Sequence, residues 1–197
     1  MAPDPSDILD QKIRETTFVV VDVETTGLSP REGGITEIAM VKVRNGMIWD
    51  EYSTLVDPLI PIPAEVTAIT GIDDSMVAGA PTAEEVAAPI AEFLGRGVFT
   101  AHNAPFDLGF VNSTLAKGDL EPIQNPVICT VKLARRLLPR LPSKSLGPVT
   151  QQLGIKNTHR HRAAGDAYAT AQVLIRFLDR LQDEFDVTDV RGLMKFQ

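Results

Sequence analysis

Asp22 and Glu24 stand two residues apart at the end of Phe18-Val19-Val20-Val21-Asp22-Val23-Glu24, a stretch otherwise β-branched and apolar. Such a run reads as a strand buried on both faces. Alternation along a strand sends both carboxylates to one face, with Cα atoms roughly 7 Å apart, and sends Val21 and Val23 to the other. Two ionised acids on a central strand carry desolvation and repulsion costs, which a divalent cation would offset. The alternative is that the strand ends early, or that each acid pairs with an arginine. Thr25-Thr26-Gly27-Leu28 follows, and reads as a turn whose amides and hydroxyls are free for a ligand.

Two more clusters hold similar chemistry. His102-Asn103-Ala104-Pro105-Phe106-Asp107 falls at the end of a predicted strand, where open sheets place their ligands. Asp107 lies in the first turn of the next helix, where by itself it would only compensate the helix dipole. In His161-Arg162-Ala163-Ala164-Gly165-Asp166 the histidine and the acid are separated by roughly 140° around an ideal helix and cannot share a face. The spacing therefore puts His161 on the loop before a helix and Asp166 in its first turns. Asp166 should face the sheet together with Thr170, Val173 and Phe177. Taken singly, His161 reads as a solvated loop histidine, and His159 keeps that reading.

Four acids and one histidine together suggest more. Hard oxygen ligands suit Mg²⁺ or Mn²⁺ rather than zinc. Two such ions, about 3.5–4 Å apart, form a clamp for phosphodiester hydrolysis. A loop histidine titrating near neutrality suits the general base that activates water.

The elements that must position these groups follow from periodicity and turn signals. Strands are expected at Phe18–Val23, Ile35–Val43 and Met47–Leu55, the last two joined by an Asn45-Gly46 hairpin. Short strands are expected at 97–101 and 127–129. Helices are expected near 65–69, from Pro81 to Leu94 with a Thr82/Glu85 capping box, at 106–116, after Cys129 through Leu138, at 146–153 and at 163–185. Pro89 predicts a kink or break in the second of these. Ala167, Ala171, Leu174, Leu178, Leu181 and Phe185 mark one face of the last. This order is that of an α/β fold with a mixed five-stranded sheet flanked by helices. Residues 1–15 are expected to form a loose polar N-terminal arm with at most a short helical turn, and 16–197 a single domain.

The chain has 197 residues, 44% hydrophobic and 23% charged, with a net charge of −7. This excludes a disordered or collagenous chain, and at first sight disfavours a polyanionic partner. The average hides a contrast, because residues 122–165 contain no acid but hold Lys132, Arg135, Arg136, Arg140, Lys144, Lys156, Arg160 and Arg162. Such a block either guides a polyanion through its local field or covers a helix face with arginine stems. Cys129 is the sole cysteine, so neither an internal disulfide nor a zinc-finger cluster can form. The start of the chain lacks a secretory pattern, and no apolar run reaches the ~20 residues of a membrane span. A cytoplasmic protein with no membrane partner is expected.

The segments Val21–Leu28, His102–Asp107 and His161–Asp166, in that order, resemble the three motifs of the DEDDh family of 3′–5′ exonucleases. The branch they most resemble is the epsilon-type proofreading subunit of DNA polymerase III. Similarity runs from about Thr17 to Leu181 and includes Val66–Ile72, which resembles the segment bordering the terminal nucleotide. The resemblance implies a ribonuclease H-like sheet. It implies that Asp22, Glu24, Asp107 and Asp166 bind two Mg²⁺ or Mn²⁺ ions and that His161 is the general base. It also implies that Thr25, Thr26, Gly27, Leu28, His102, Asn103, Phe106, Thr70 and Gly71 border the 3′ end of a nucleic acid, expected to be single-stranded. Release of nucleoside monophosphates from DNA is expected, in proofreading, replication or repair, beside a DNA polymerase. Residues 191–197 show no clamp-binding string, which leaves RNA trimming as an alternative activity and a non-catalytic binding module as another.

Overall fold

The computed structural model describes residues 6–157 and 161–197. Its centre is a five-stranded sheet ordered β3-β2-β1-β4-β5, made of β1 (Phe18–Thr25), β2 (Ile35–Arg44), β3 (Met47–Leu55), β4 (Val98–Ala101) and β5 (Val127–Cys129). The β1–β2 and β2–β3 ladders are antiparallel, whereas β1–β4 and β4–β5 are parallel. Asn45 and Gly46 turn β2 into β3 with φ of 51° and 71°, the left-handed pair that a tight hairpin turn demands and that glycine adopts freely.

Alternation along β1 divides the core in two. Phe18 and Val20 pack with Ala39, Val41, Val43, Val98 and Ile128 against one helical layer. That layer comprises α6 (Thr130–Leu137), α7 (Leu146–Gln152), α8 (Ala163–Phe185) and α9 (Val190–Phe196). Val19, Val21 and Val23 pack with Ile38, Met40 and Phe99 on the opposite side, under α4 (Ala83–Leu94) and α5 (Ala104–Lys117). Asp22 and Glu24 continue the Phe18–Val20 row, so the strand aims its acids at the α8 side. Thr170, Val173 and Phe177 of α8 are fully buried, as the helical period predicts. Helices α2 (Ala64–Thr70) and α3 (Asp74–Val77) carry a small core of their own, built on Ile62, Ile72 and Val77. The described residues include no helix long and apolar enough to cross a membrane.

Several expectations need correction. The start of the chain is not a loose arm over its described part. Helix α1 (Ser6–Leu9) leads into a segment whose Ile8 and Ile13 are buried in the α8-side core, and Ile13 N–H donates to Thr188 O at 2.9 Å. Two isoleucines are enough to anchor so short a segment; residues 1–5 lie outside the described residues. Pro89 does not break α4, which runs on to Leu94 behind the expected Thr82/Glu85 capping box. Both Pro89 and Glu85 face solvent, so water can satisfy the Glu85 carbonyl that the proline cannot reach. Phe185 leaves the predicted buried stripe of α8, and Phe93 of α4 is not fully buried either. Phe93 is half-buried under the Lys42 ammonium at 4.0 Å, and Phe185 meets the Phe196 ring edge-on at 5.0 Å. Helices α3 and α9 were not anticipated, being short and supported by packing rather than by propensity. Beyond α9, the Gln197 side chain accepts from Cys129 N–H and donates to Val127 O, both at 2.9 Å, covering the edge strand β5.

Candidate active site

The site forms where β1 ends and two helices begin. Carboxylate oxygens of Asp22, Glu24 and Asp166 lie within 4.8 Å of one another, and all three residues are partly buried. The strand supplies the first two on one face, and the first turn of α8 brings Asp166 over them. A register shift between Glu24 and Thr25 interrupts the β1–β2 ladder at this point, ending regular pairing where the acids must be reached. Asp107, 5% exposed, sits in the first turn of α5, after the neighbouring parallel strand, and its charge bears on Asp22 although it lies outside the three acids that meet within 4.8 Å.

Electrostatics shows what this gathering costs. Burial first, then the charges of Asp107, Asp166, Glu24 and Glu37, push the Asp22 carboxyl well above the usual range. Glu24 is pushed up to about 7, by burial and by Asp166 and Glu37, against a lowering by Arg162. Asp107 is also pushed up to about 7, mainly by burial, although backbone hydrogen bonds at Asp107 and Val23 pull it down. A divalent cation would supply the missing positive charge, and an all-carboxylate donor set suits a hard cation.

Asp166 is held from both sides. Its Oδ1 accepts from the Asn157 side-chain amide at 2.5 Å, and its Oδ2 accepts from the His161 backbone N–H at 3.0 Å. His161 adopts φ of 61°, a left-handed turn that aims its amide back at Asp166 and leaves its side chain exposed. A cavity of about 390 Å³ opens beside this corner, lined by Glu37, Lys156, Asn157, Arg162 and Tyr168.

The residues expected to border a nucleic-acid end divide into two kinds. The Thr25 and Thr26 hydroxyls are not free, which corrects the expectation from sequence. Thr25 Oγ1 donates to Gly27 O at 2.7 Å, and the buried Thr26 Oγ1 accepts from Gly34 N–H at 3.0 Å. A turn this tight consumes its own polar groups. His102 is likewise engaged, with Nδ1 at 2.8 Å from Thr130 Oγ1 and Nε2 at 2.9 Å from Lys144 O. The carbonyl must accept, so Nε2 carries the proton; burial lowers the pKa and keeps the ring neutral. Thr70 Oγ1 donates to Val66 O and accepts from Ile72 N–H, both at 3.1 Å, while Gly71 closes α2 at φ 71°. Other groups stay available: Leu28 is 89% exposed and Ile69 61%. Asn103 is exposed at the start of α5, and Phe106 is half-buried against Phe110.

Members of the basic block differ in their partners. Arg162 is paired with Glu37, and Arg136 lies over the Phe196 ring at 5.0 Å. Lys144 Nζ donates to Leu141 O. Among the described residues, Lys132, Arg135, Arg140 and Lys156 form no ion pair, and His159 and Arg160 lie outside them. Sequence reasoning missed Glu37 and Asn157. Glu37 did leave a signal, as an acid inside the apolar run Ile35–Val41; Asn157, in a polar loop, left none.

The RNase_T family model, described as exonuclease, matches residues 19–174. The chain is 43% identical over 176 residues to the PolC-type DNA polymerase III of Clostridium perfringens, and 40% identical over 178 residues to that of Bacillus cereus. These alignments cover 89% and 90% of this chain but 12% of each relative, so the chain spans about an eighth of the curated relatives it matches. Exonuclease X, solved in complex with 5′ overhanging duplex DNA, superposes with a TM-score of 0.72 at 34% identity, covering 90% of this chain and 99% of that one. E. coli Exonuclease I in complex with a dT13 oligonucleotide shares the fold, with a TM-score of 0.79 at 20% identity over 87% of this chain and 43% of that one.

Proposed function

The chain belongs to the RNase_T exonuclease family, and from that membership we propose that it is a 3′–5′ exonuclease removing nucleoside monophosphates from the 3′ end of DNA. The observation that carries this reading is the meeting of Asp22, Glu24 and Asp166 within 4.8 Å, in surroundings that resist the ionisation of neighbouring carboxyls. Asp22, Glu24, Asp107 and Asp166 would hold two Mg²⁺ or Mn²⁺ ions. When bound, these ions supply Lewis-acid stabilisation to the scissile phosphate and to the leaving 3′ oxygen.

The other roles fall to this chain's own residues. His161 takes the proton of the attacking water, its exposed ring swinging on a backbone pinned to Asp166. Asn157 fixes the Asp166 carboxylate and so the spacing between the two. Leu28, Ile69 and Phe106 offer apolar surface to the terminal base and sugar, while Thr25, Thr26, His102 and Thr70 shape the backbone around them. In the PolC-type relatives the matching region is a small part of a DNA polymerase, which supports work beside a polymerase, in proofreading, replication or repair.

The test is a panel of 5′-labelled substrates: single-stranded DNA, a recessed 3′ end, a mismatched primer terminus and RNA, each with Mg²⁺ or Mn²⁺. Stepwise shortening of DNA from the 3′ end is expected, stopping in excess chelator. His161→Ala should lower turnover by about 10²–10⁴-fold while Mn²⁺ binding persists. Shortening that survives chelation would sink the metal mechanism, preference for RNA would sink the DNA assignment, and intact substrates throughout would sink the enzyme reading.

A further inference from the structure

The antiparallel register sets Glu24 directly opposite Glu37, and directly opposed residues share a face, where like charges repel. Glu37 is therefore a third strand acid on the Asp22–Glu24 face, and it is only 5% exposed. It is not loose. Glu37 Oε1 accepts from Arg162 Nη2 at 2.7 Å, and Oε2 accepts from Arg162 Nε at 3.1 Å and from Ala163 N–H at 2.8 Å. The last bond caps the start of α8, whose own N-cap residue, Arg162, provides no side-chain cap. One turn on, Asp166 N–H donates to Arg162 O at 3.0 Å. A carboxylate on β2 thus clamps the end of the helix that delivers Asp166 to the acids of β1.

We propose that the Glu37–Arg162 pair positions Asp166 and sets the charge of the metal site, with Glu37 fixing the start of α8 and Arg162 keeping Glu37 out of the ligand set. This rests on the reading of Asp22, Glu24 and Asp166 as a cation site. The forked, two-bond geometry binds both Glu37 oxygens in one plane, so neither is directed at the cluster while the pair holds. Removing either partner has opposite electrical consequences. Without Glu37, the Arg162 cation stands unneutralised beside Glu24. Without Arg162, the Glu37 anion joins the cluster.

The experiment is Mn²⁺ titration of the full chain, followed by the electron paramagnetic resonance signal of free Mn²⁺, together with kcat on a labelled oligonucleotide. Glu37→Gln should weaken Mn²⁺ binding, and Arg162→Gln should tighten it, each by roughly tenfold. Both should lower kcat, because both release the start of α8. The Glu37→Gln/Arg162→Gln double variant should return to within roughly twofold of the wild-type affinity with kcat still low. Arg162→Lys, which keeps the charge but loses the fork, should keep the affinity and lose kcat, and it serves if Arg162→Gln does not fold. A purely structural pair would weaken Mn²⁺ binding in both single variants, so shifts of the same sign, or no shift in either, overturn the proposal. A wild-type chain that takes up no Mn²⁺ overturns the metal-site reading with it, whereas uptake with same-sign shifts overturns the pair alone.

Discussion

The two ends of α8 treat their acids in opposite ways. Toward its C-terminus, Asp179 meets Arg14 at 3.2 Å and Glu184 meets Arg180 at 2.7 Å, both pairs on the surface. The Arg180 hydrogen bond holds the Glu184 carboxyl below its ordinary value. At the N-terminus, Asp166 stands against Asp22 and Glu24, and Arg162 beside them is already engaged by Glu37. There the neighbouring carboxyls are pushed up rather than down. The difference separates acids that decorate a helix from acids the fold tolerates at a cost. Exposed pairs contribute about 0–1 kcal/mol each. A crowded, uncompensated cluster lowers stability until a cation arrives, and such clusters concentrate at functional sites.

The largest expected break in this contrast comes from Asp22→Asn. Losing one ligand of the cluster should cost several kcal/mol of transition-state stabilisation, on the order of 10³-fold in kcat. The same change removes a repulsive charge, so the melting temperature measured in chelator should rise. A fall in both would place Asp22 among the stabilising acids instead.

Next in size is the pH dependence of stability without metal. Glu24 and Asp107 hold their protons to about 7 in the folded chain, whereas the unfolded chain releases them at ordinary carboxyl values. The folded state then binds more protons between these limits, and its stability is lost as pH rises from about 4 to about 7. Thermal melts in chelator should show this decline, and saturating Mn²⁺, by binding the ionised carboxylates, should oppose it over the same interval. A melting temperature that climbs over that interval in chelator would contradict the crowding argument.

The smallest effect is expected at the other end of the helix. Glu184→Gln should shift the melting temperature by less than about 3 °C and leave kcat unchanged. A larger drop would mean that the exposed pairs carry stability that their geometry does not suggest.

Much of this was legible beforehand. Asp22 and Glu24 announced themselves because ionised side chains are costly in a β-branched run, and alternation gave their common face. The Thr82/Glu85 box, the Asn45-Gly46 turn and the span of α8 are local signals that the tertiary structure did not override. The sequence of Thr25 and Thr26 reads as a turn with free hydroxyls, yet the folded turn uses both of them itself. Glu37 was passed over because its meaning depends on pairing: a nine-residue loop, 26–34, separates β1 from β2, and no tight turn sets their register. Asn157 matters only because its side-chain amide meets the Asp166 carboxylate nine positions further on.

By itself, the sequence determined which residues could afford the chemistry and which elements carry them. Hydrophobic period, caps and turn residues act over a few positions, and that information is complete in the chain. Only the tertiary structure decided that Glu24 faces Glu37, that Arg162 closes on that glutamate, and that Asp166 is held by Asn157 and the His161 amide. Those contacts join residues up to 125 positions apart, through register and helix docking. Neither is encoded in any local pattern, because each is the outcome of packing the whole core at once.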